Sequence, residues 1–303
     1  MIKDGFINTL KPTGMTSNDL VAKIRGMIRR GYGEKIKVGH TGTLDPNAAG
    51  VMLVAIGRAT KFTRYVTEKQ KTYIAEILLG KCTDTLDTYG KIEAEQTVKE
   101  YTDREIIDVL NTFSGRSMQT PPKFSALQID GQRLYKLARE GKETPQIPSR
   151  PIEIDRIRLL DREENTLRIE VTCSAGTYIR TLAKDIGERL GEPATLAMLL
   201  RTDVDGQEIS DSFTIEELEQ KIENKRLDEA VQDIDDILLK YPSLSLSGGI
   251  DLYANGAKIR AQRYLGQRPS EGLYRVYYQD RFIGIGRVTE EEEIYLKSET
   301  LTR

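Results

Sequence analysis

The spacing of apolar and polar positions changes several times along this chain, and each change predicts an element. Residues 5–10 read as a short strand that ends in the turn residues Lys11-Pro12-Thr13-Gly14, where Lys11 and Pro12 are expected to serve strand-to-helix packing. Thr16 or Ser17 can cap the helix that follows over 18–29. The apolar run 51–56 has the length of a buried strand; Gly57 breaks it, and 59–66 take helical spacing. Residues 71–80 alternate, with Tyr73, Ala75 and Ile77 on one face, and predict another strand. An amphipathic helix is expected over 102–113, a segment entering a strand over 119–126, and a helix over 133–139 after Gly131. Two strands, 148–160 and 167–174, flank the polar turn 161–165, and the second runs into a helix that ends at Leu190.

The charged helix expected over 214–226 closes the main body of the chain. Ser, Pro and Gly then dominate 241–249, which suits a boundary, and two strand-like runs, 273–278 and 281–288, flank Gln279-Asp280. This pattern divides the chain into residues 1–237 and a small β-rich unit over 238–303.

Composition narrows the class. Among 303 residues, 30% are charged and 38% hydrophobic, as in soluble globular proteins. No apolar run approaches a membrane span and no signal-peptide pattern opens the chain. Two cysteines without a secretory signal suggest free thiols in a reducing compartment. A cytoplasmic protein without a membrane partner is expected. The net charge of −2 argues at first against a nucleic-acid partner. Its distribution argues the other way: Lys23, Arg25, Arg29, Arg30, Lys35 and Lys37 crowd residues 22–37 against the single acid Glu34, while 211–236 are strongly acidic.

Candidate chemistry centres on residues 37–60. A glycine- and threonine-rich loop, 39–46, carries Asp45 ahead of the buried run, and Pro46 fixes its own φ and biases Asp45 towards extended geometry. Taken alone, Asp-Pro is an ordinary turn start. No G-K-[ST] follows the glycines, so there is no phosphate-binding P-loop. His40 is the single histidine, and Cys82 and Cys173 lie far apart, so no metal-ligand spacing exists. Asp84 and Asp87 share a polar loop and raise the idea of a glycosidase pair, but its threonines and glycine suit a backbone-shaping role.

Several of these stretches together resemble the TruB family of tRNA pseudouridine synthases. Residues 42–51, GTLDPNAAGV, followed by Gly57-Arg58-Ala59-Thr60-Lys61, resemble its catalytic motif. K-P-x-G-x-T-S at 11–17, Lys71-x-Tyr73-x-Ala75, the loop 83–90, Q-x-P-P-x-F-S-A at 119–126, G-x-R-x-Y-x-x-A-R-x-G at 131–141 and G-T-Y-I-R-T-L at 176–182 are similar to further signatures. Gln128 stands where members often have lysine, which removes one RNA contact from the pattern.

The resemblance implies an α+β pseudouridine synthase fold, a mixed, largely antiparallel sheet with flanking helices, plus a small C-terminal PUA-like domain. It implies isomerisation of uridine to pseudouridine at position 55 in the T-loop of tRNA. Asp45 would be the catalytic carboxylate, Arg180 its ion-pair partner, Tyr73 the ring that stacks on uracil, and Leu199 the wall that closes the pocket. His40 would fill the stack vacated by the flipped base. Whether Asp45 attacks the ring, attacks the sugar or abstracts a sugar proton stays open. No metal and no cofactor is expected. The expected partner is the tRNA T-arm stem–loop, met by a monomer without guide RNA, with Lys23, Arg29, Arg30, Lys37, Lys258 and Arg260 on its phosphates. Two alternatives are a guide-RNA-dependent, dyskerin-like synthase and an RNA-binding, tRNA-folding chaperone without catalysis.

Overall fold

The computed structural model describes residues 2–67, 70–125, 127–129, 131–140, 145–291 and 293–302. Ala126 and Gly141 of the two motifs after Gln119 lie outside them.

The core begins with β1 (Gly5–Lys11), whose end leads into α1 (Ser17–Tyr32). Thr16, not Ser17, caps α1: its side chain accepts from the Asp19 amide while Asp19 reaches back to the Thr16 amide, a reciprocal capping box. Gly33, at φ 72°, stops it. The loop after α1 forms the short β2 (Val38–His40), and beyond Asp45 the apolar run becomes β3 (Ala49–Ile56). Met52, Val54 and Ile56 face one side of the sheet and Val51, Leu53 and Ala55 the other, and both sets are fully buried. Apolar cover on both faces is why β3 reads as a continuous run and not as an alternation.

The other main strands of the central sheet are β4 (Lys71–Leu79), β5 (Gly115–Gln119), β6 (Arg150–Glu163), β7 (Thr166–Cys173) and β8 (Ala194–Val204). Among the described residues they form one nine-stranded sheet with the path β1-β3-β8-β4-β7-β6-β5, flanked by β2 and the two-residue strand Gln207–Glu208. Along that path β3 and β8 run parallel, and every other neighbouring pair is antiparallel. The helices α1, α2 (Asp103–Asn111), α3 (Ile179–Leu190) and α4 (Ile215–Glu223) share one apolar cluster on one face. The expected α+β class, with a mixed and largely antiparallel sheet and flanking helices, is the fold observed.

Several expected elements differ in detail. The helix expected at 59–66 is two short pieces, a 3₁₀ turn Gly57–Lys61 and a helix Thr63–Thr67. Residues 120–125 are irregular because Pro121 and Pro122 offer no ladder donors; the strand there, β5, precedes them. The central strand β8 had no period-2 signal, since two register shifts against β4 interrupt its alternation.

A second, five-stranded sheet is built by β9 (Ser243–Leu246), β10 (Ile259–Arg260), β11 (Gly272–Tyr278), β12 (Arg281–Glu290) and β13 (Ile294–Leu301), in the order β9-β11-β12-β13-β10. Gln279 and Asp280 both take positive φ between β11 and β12, the conformation a tight two-residue hairpin needs. Ile285 of this sheet belongs to the same apolar cluster as Phe6, Val51 and Leu53, with Phe282 and Leu273 against it. Asp235 accepts hydrogen bonds from Arg275 (3.0 Å) and Tyr277 (2.6 Å), and Arg64 donates to Glu299 (3.1 Å). The small sheet is therefore docked on the back of the central one through a joint core. No helix among the described residues is long and apolar enough to cross a membrane.

Candidate active site

The loop carrying Asp45 leaves β2 and is held from four sides. Thr41 donates its amide to the Leu53 carbonyl (3.1 Å), which keeps the loop on β3. Ser17, in the first turn of α1, brackets Leu44: its hydroxyl donates to the Leu44 carbonyl (3.0 Å) and accepts from the Leu44 amide (2.9 Å). The Gly14 amide donates to Pro46 (2.8 Å), and the Ala48 amide to Asp45 (3.1 Å). Beneath the loop, the ammonium of Lys11 donates to the carbonyls of Pro12 (2.8 Å), Pro46 (3.4 Å) and Ala48 (2.7 Å). Three donors meet three acceptors, which is what makes a fully buried lysine tolerable here. Lys11 was expected to serve strand-to-helix packing; it is instead the peg under the loop. At the loop's exit Gly50 sits at φ 118°, where a Cβ would stand 2.1 Å from the Arg201 carbonyl oxygen, so only glycine allows β3 to approach β8.

Arg180 reaches the loop from the first turn of α3. Its Nε donates to Asp45 Oδ2 at 2.8 Å and its Nη2 to Oδ1 at 3.3 Å, the two-pronged geometry of a strong arginine–carboxylate pair. Nη1 also donates to the Thr85 carbonyl and Nη2 to that of Phe124, both at 2.9 Å. One guanidinium thus joins the loops around residues 45, 85 and 124. Its side chain is 6% exposed and that of Asp45 39%, so the cation is sealed in while the carboxylate opens to solvent. The start of α3 is fixed in turn by Gln119, which donates to the Tyr178 carbonyl (3.1 Å) and accepts from its amide (2.8 Å).

Asp45 and Arg180 line an open cleft of about 690 Å³, whose walls also include Asn18, His40, Thr85 and Phe124. A narrower recess continues from them past Met198, Leu199 and Tyr89. His40 lines the cleft, and its Nδ1 is buried without a hydrogen-bond partner among the described residues. Burial, then the nearby Arg201 charge, lowers its pKa, so its ring is neutral at pH 7. Tyr73 is placed differently from the other expected site residues: it is 7% exposed, is absent from the walls of both cavities and lies near the Arg201 charge.

Arg201 was missed by the sequence reading. It is 2% exposed, donates to Val51 (2.7 Å) and Gly42 (3.3 Å) carbonyls, and so braces the loop from behind. Its signal was available: an arginine closing an otherwise apolar run, ATLAMLLR. Among the described residues no three His, Cys, Asp or Glu side chains converge as metal ligands.

A family model described as TruB family pseudouridylate synthase (N terminal domain) matches residues 29–179, and one described as tRNA pseudouridylate synthase B C-terminal domain matches 180–239. The chain belongs to the TruB family. It is a pseudouridine synthase, and hence an isomerase. A third model, Pseudouridine synthase II TruB, C-terminal, matches 255–297 within the small sheet. The tRNA pseudouridine synthase B of Clostridioides difficile is 37% identical to this TruB-family chain, with 98% of each covered. That of Caldanaerobacter subterraneus is 41% identical over 97% of this chain and 98% of the relative. Among solved structures, a chain of a Cbf5–Nop10–Gar1 complex superposes with a TM-score of 0.75 at 23% identity, covering 98% of this chain and 84% of that one. That likeness shows the fold alone.

The basic residues expected to face RNA fall into two groups. Lys23, Arg29 and Lys37 are exposed on α1 and the loop after it, where Arg25, Arg29 and Lys35 line a groove; Arg30 pairs loosely with Glu219 (3.7 Å). Lys258 and Arg260 of the small sheet are each paired within the chain, with Glu291 and Glu293.

Two buried lysines make a pH dependence. Burial pulls both Lys11 and Lys71 down to about 8, with Asp45 opposing the shift at Lys11. Unfolded lysines bind protons below about 10.4, folded ones only below about 8, so between these values the unfolded state holds more protons and stability rises with pH. Raising the pH from about 7.5 to about 9 should add roughly 1 kcal/mol per lysine. Urea unfolding at both values should show the gain shrink by that amount in Lys71→Met. An unchanged gain would refute the assignment.

Proposed function

We propose that this enzyme isomerises the uridine at position 55 in the T-loop of tRNA, with Asp45 as the catalytic carboxylate. The observation that carries the reading is the Asp45–Arg180 pair: a carboxylate aligned by both prongs of a sealed guanidinium, yet open to a cleft. The names of the relatives support tRNA as the RNA, and the motif set supports the T-loop. A base within a helical stack cannot enter the recess that Asp45 lines, so the target nucleotide must flip out. Asp45 then acts on the flipped nucleotide while the C–N glycosidic bond breaks. The uracil, held against Leu199 in the recess, turns and is rejoined to C1′ through C5, which loses its proton while the freed N1 takes one up. His40, neutral at the rim, occupies the space the base has left. The enzyme works as a monomer without guide RNA, residues 1–237 carrying the chemistry and 238–303 adding RNA contacts.

One transcript of a single tRNA, incubated with the purified protein alone, tests this. Pseudouridine should appear at position 55 and reach one equivalent; none at that position would overturn the reading.

Phosphate contacts should be read in the salt dependence of affinity. Because Lys258 and Arg260 are already paired, replacing Lys23, Arg29 and Lys37 by alanine should lower the slope of log K against log salt by about 2 to 3, at 0.7–0.9 per contact. The Lys258→Ala, Arg260→Ala double variant should change it less. Equal slopes in the parent and the triple variant would remove α1 from the footprint.

A further inference from the structure

Tyr89 has no part in the chemistry above, yet it stands beside it. Its residue is 73% exposed, although it lines both the cleft and the recess that contain Asp45 and Arg180. A large ring left in water at the mouth of a site is ordinarily either mobile or held for a ligand. Here the loop beneath it is over-determined. Thr83 donates to the Asp87 carbonyl (2.6 Å), and Thr85 to the Asp87 carboxylate (2.7 Å), which also accepts the Tyr89 amide (3.1 Å). Asp84 accepts the Lys91 amide (2.8 Å), closing the other side. Leu86 is held at φ 61°, and a Cβ on Gly90 would stand 2.3 Å from Thr85 Oγ1. Two anchors then fix the loop to the site. The Thr88 amide donates to the Leu196 carbonyl of β8 (3.2 Å) and the Leu196 amide to the Leu86 carbonyl (3.0 Å), and the Thr85 carbonyl accepts from Arg180.

We propose that Tyr89 is a stacking platform for a base adjacent to the target uridine, which sets where the RNA strand lies relative to Asp45. The inference rests on the isomerase reading above. Once the target base has left its stack, its neighbours lose a partner, and single-stranded bases are recognised by stacking on aromatic faces. Tyr89 offers such a face on the side of the recess, with Phe124 on the cleft wall. A rigid loop presents it at no further ordering cost, which is how a positioning residue differs from a mobile surface ring. Tyr89 is thus a positioning residue: it touches the substrate strand and not the reacting atoms.

The test compares Tyr89→Ala, Tyr89→Phe and Tyr89→Trp on a T-arm stem–loop, and repeats binding with 2-aminopurine on either side of the target. Tyr89→Ala should raise KM and Kd roughly 5- to 100-fold, the range of one base–aromatic stack. Its single-turnover rate at saturating RNA should fall far less, and Phe and Trp should restore binding. Quenching of 2-aminopurine at one flanking position should be present in the parent and lost in Tyr89→Ala. The side chain is exposed, so the variants should unfold at the parent's urea midpoint. If Tyr89→Ala keeps the parent's KM and quenching while the parent turns over normally, the platform is overturned and the isomerase reading stands. If Phe fails like Ala, the hydroxyl and not the ring matters, which also overturns it. Tyr89-dependent quenching without any pseudouridine from the parent would uphold the platform and overturn the isomerase reading.

Discussion

Asp45→Asn should fold, bind a T-arm stem–loop within a few-fold of the parent, and form no measurable pseudouridine. The amide keeps the size and planarity of the carboxylate, and the bonds that hold the loop, from Thr41, Ser17, Gly14 and Lys11, do not involve its side chain. It can still accept from one prong of Arg180 but turns its NH₂ towards the other. One donor–donor contact and an unpaired buried cation should cost about 1–3 kcal/mol of stability. Turnover suffers far more, because an amide is neither nucleophile nor base at neutral pH. Asp87, another acid on the walls, cannot replace it: its carboxylate is engaged by Thr85 and the Tyr89 amide. The expected loss is about 10⁴-fold or more. Single-turnover assays with excess enzyme exclude product release, and substantial turnover by folded Asp45→Asn would sink the assignment.

Arg180→Lys should lose activity nearly as completely, for a different reason. The guanidinium satisfies four acceptors on three loops: both Asp45 oxygens and the Thr85 and Phe124 carbonyls. An ammonium has three donors in a tetrahedral array and cannot reproduce the fork. Some acceptors are left unpaired, and the carboxylate loses its fixed orientation. We expect a fall of about 10³-fold in single-turnover rate, the scale of a misplaced catalytic group. Stability should fall by about 2–3 kcal/mol, below the range for fully buried pairs because Asp45 is half open to water. Arg180→Met should be no better in activity. A lysine variant with parental rate would mean that charge alone, and not orientation, is what Asp45 requires.

Legibility in the sequence followed physical locality. The cap at Thr16 and the apolar run of β3 act within a few positions, and each was readable at its own place, whereas the end of α1 was placed at residue 29, short of Gly33. Arg180 and Asp45 are 135 residues apart, and only the family resemblance joined them. What stayed hidden depends on contacts no local window contains. Strand β8 has its alternation broken by register shifts against β4, so it showed no period. Lys11 reads as strand-to-helix packing at a turn; its bonds come instead from the carbonyls of Pro46 and Ala48, which the chain brings back beneath β1's end. The pairing of Lys258 and Arg260 with Glu291 and Glu293 was invisible for the same reason, since β10 meets β13 across about thirty residues.

The joint core behind the central sheet has a consequence for how the protein is made. Phe6, Val51 and Leu53 leave the ribosome early, but Ile285, which covers them, follows about 230 residues later. At common elongation rates that interval is roughly 10–50 s. For its duration the rear of β1 and β3 is covered only in part, by Phe62, Tyr65 and Val66 from the segment just after β3 and later by Ile234, Ile237 and Leu238, and the pairing of β3 with β8 also awaits later sequence. The part of this surface that Ile285 covers stays open to water until the small sheet has been made. A chain released before Ile285 is made would carry Asp45 and Arg180 with part of this apolar surface still bare.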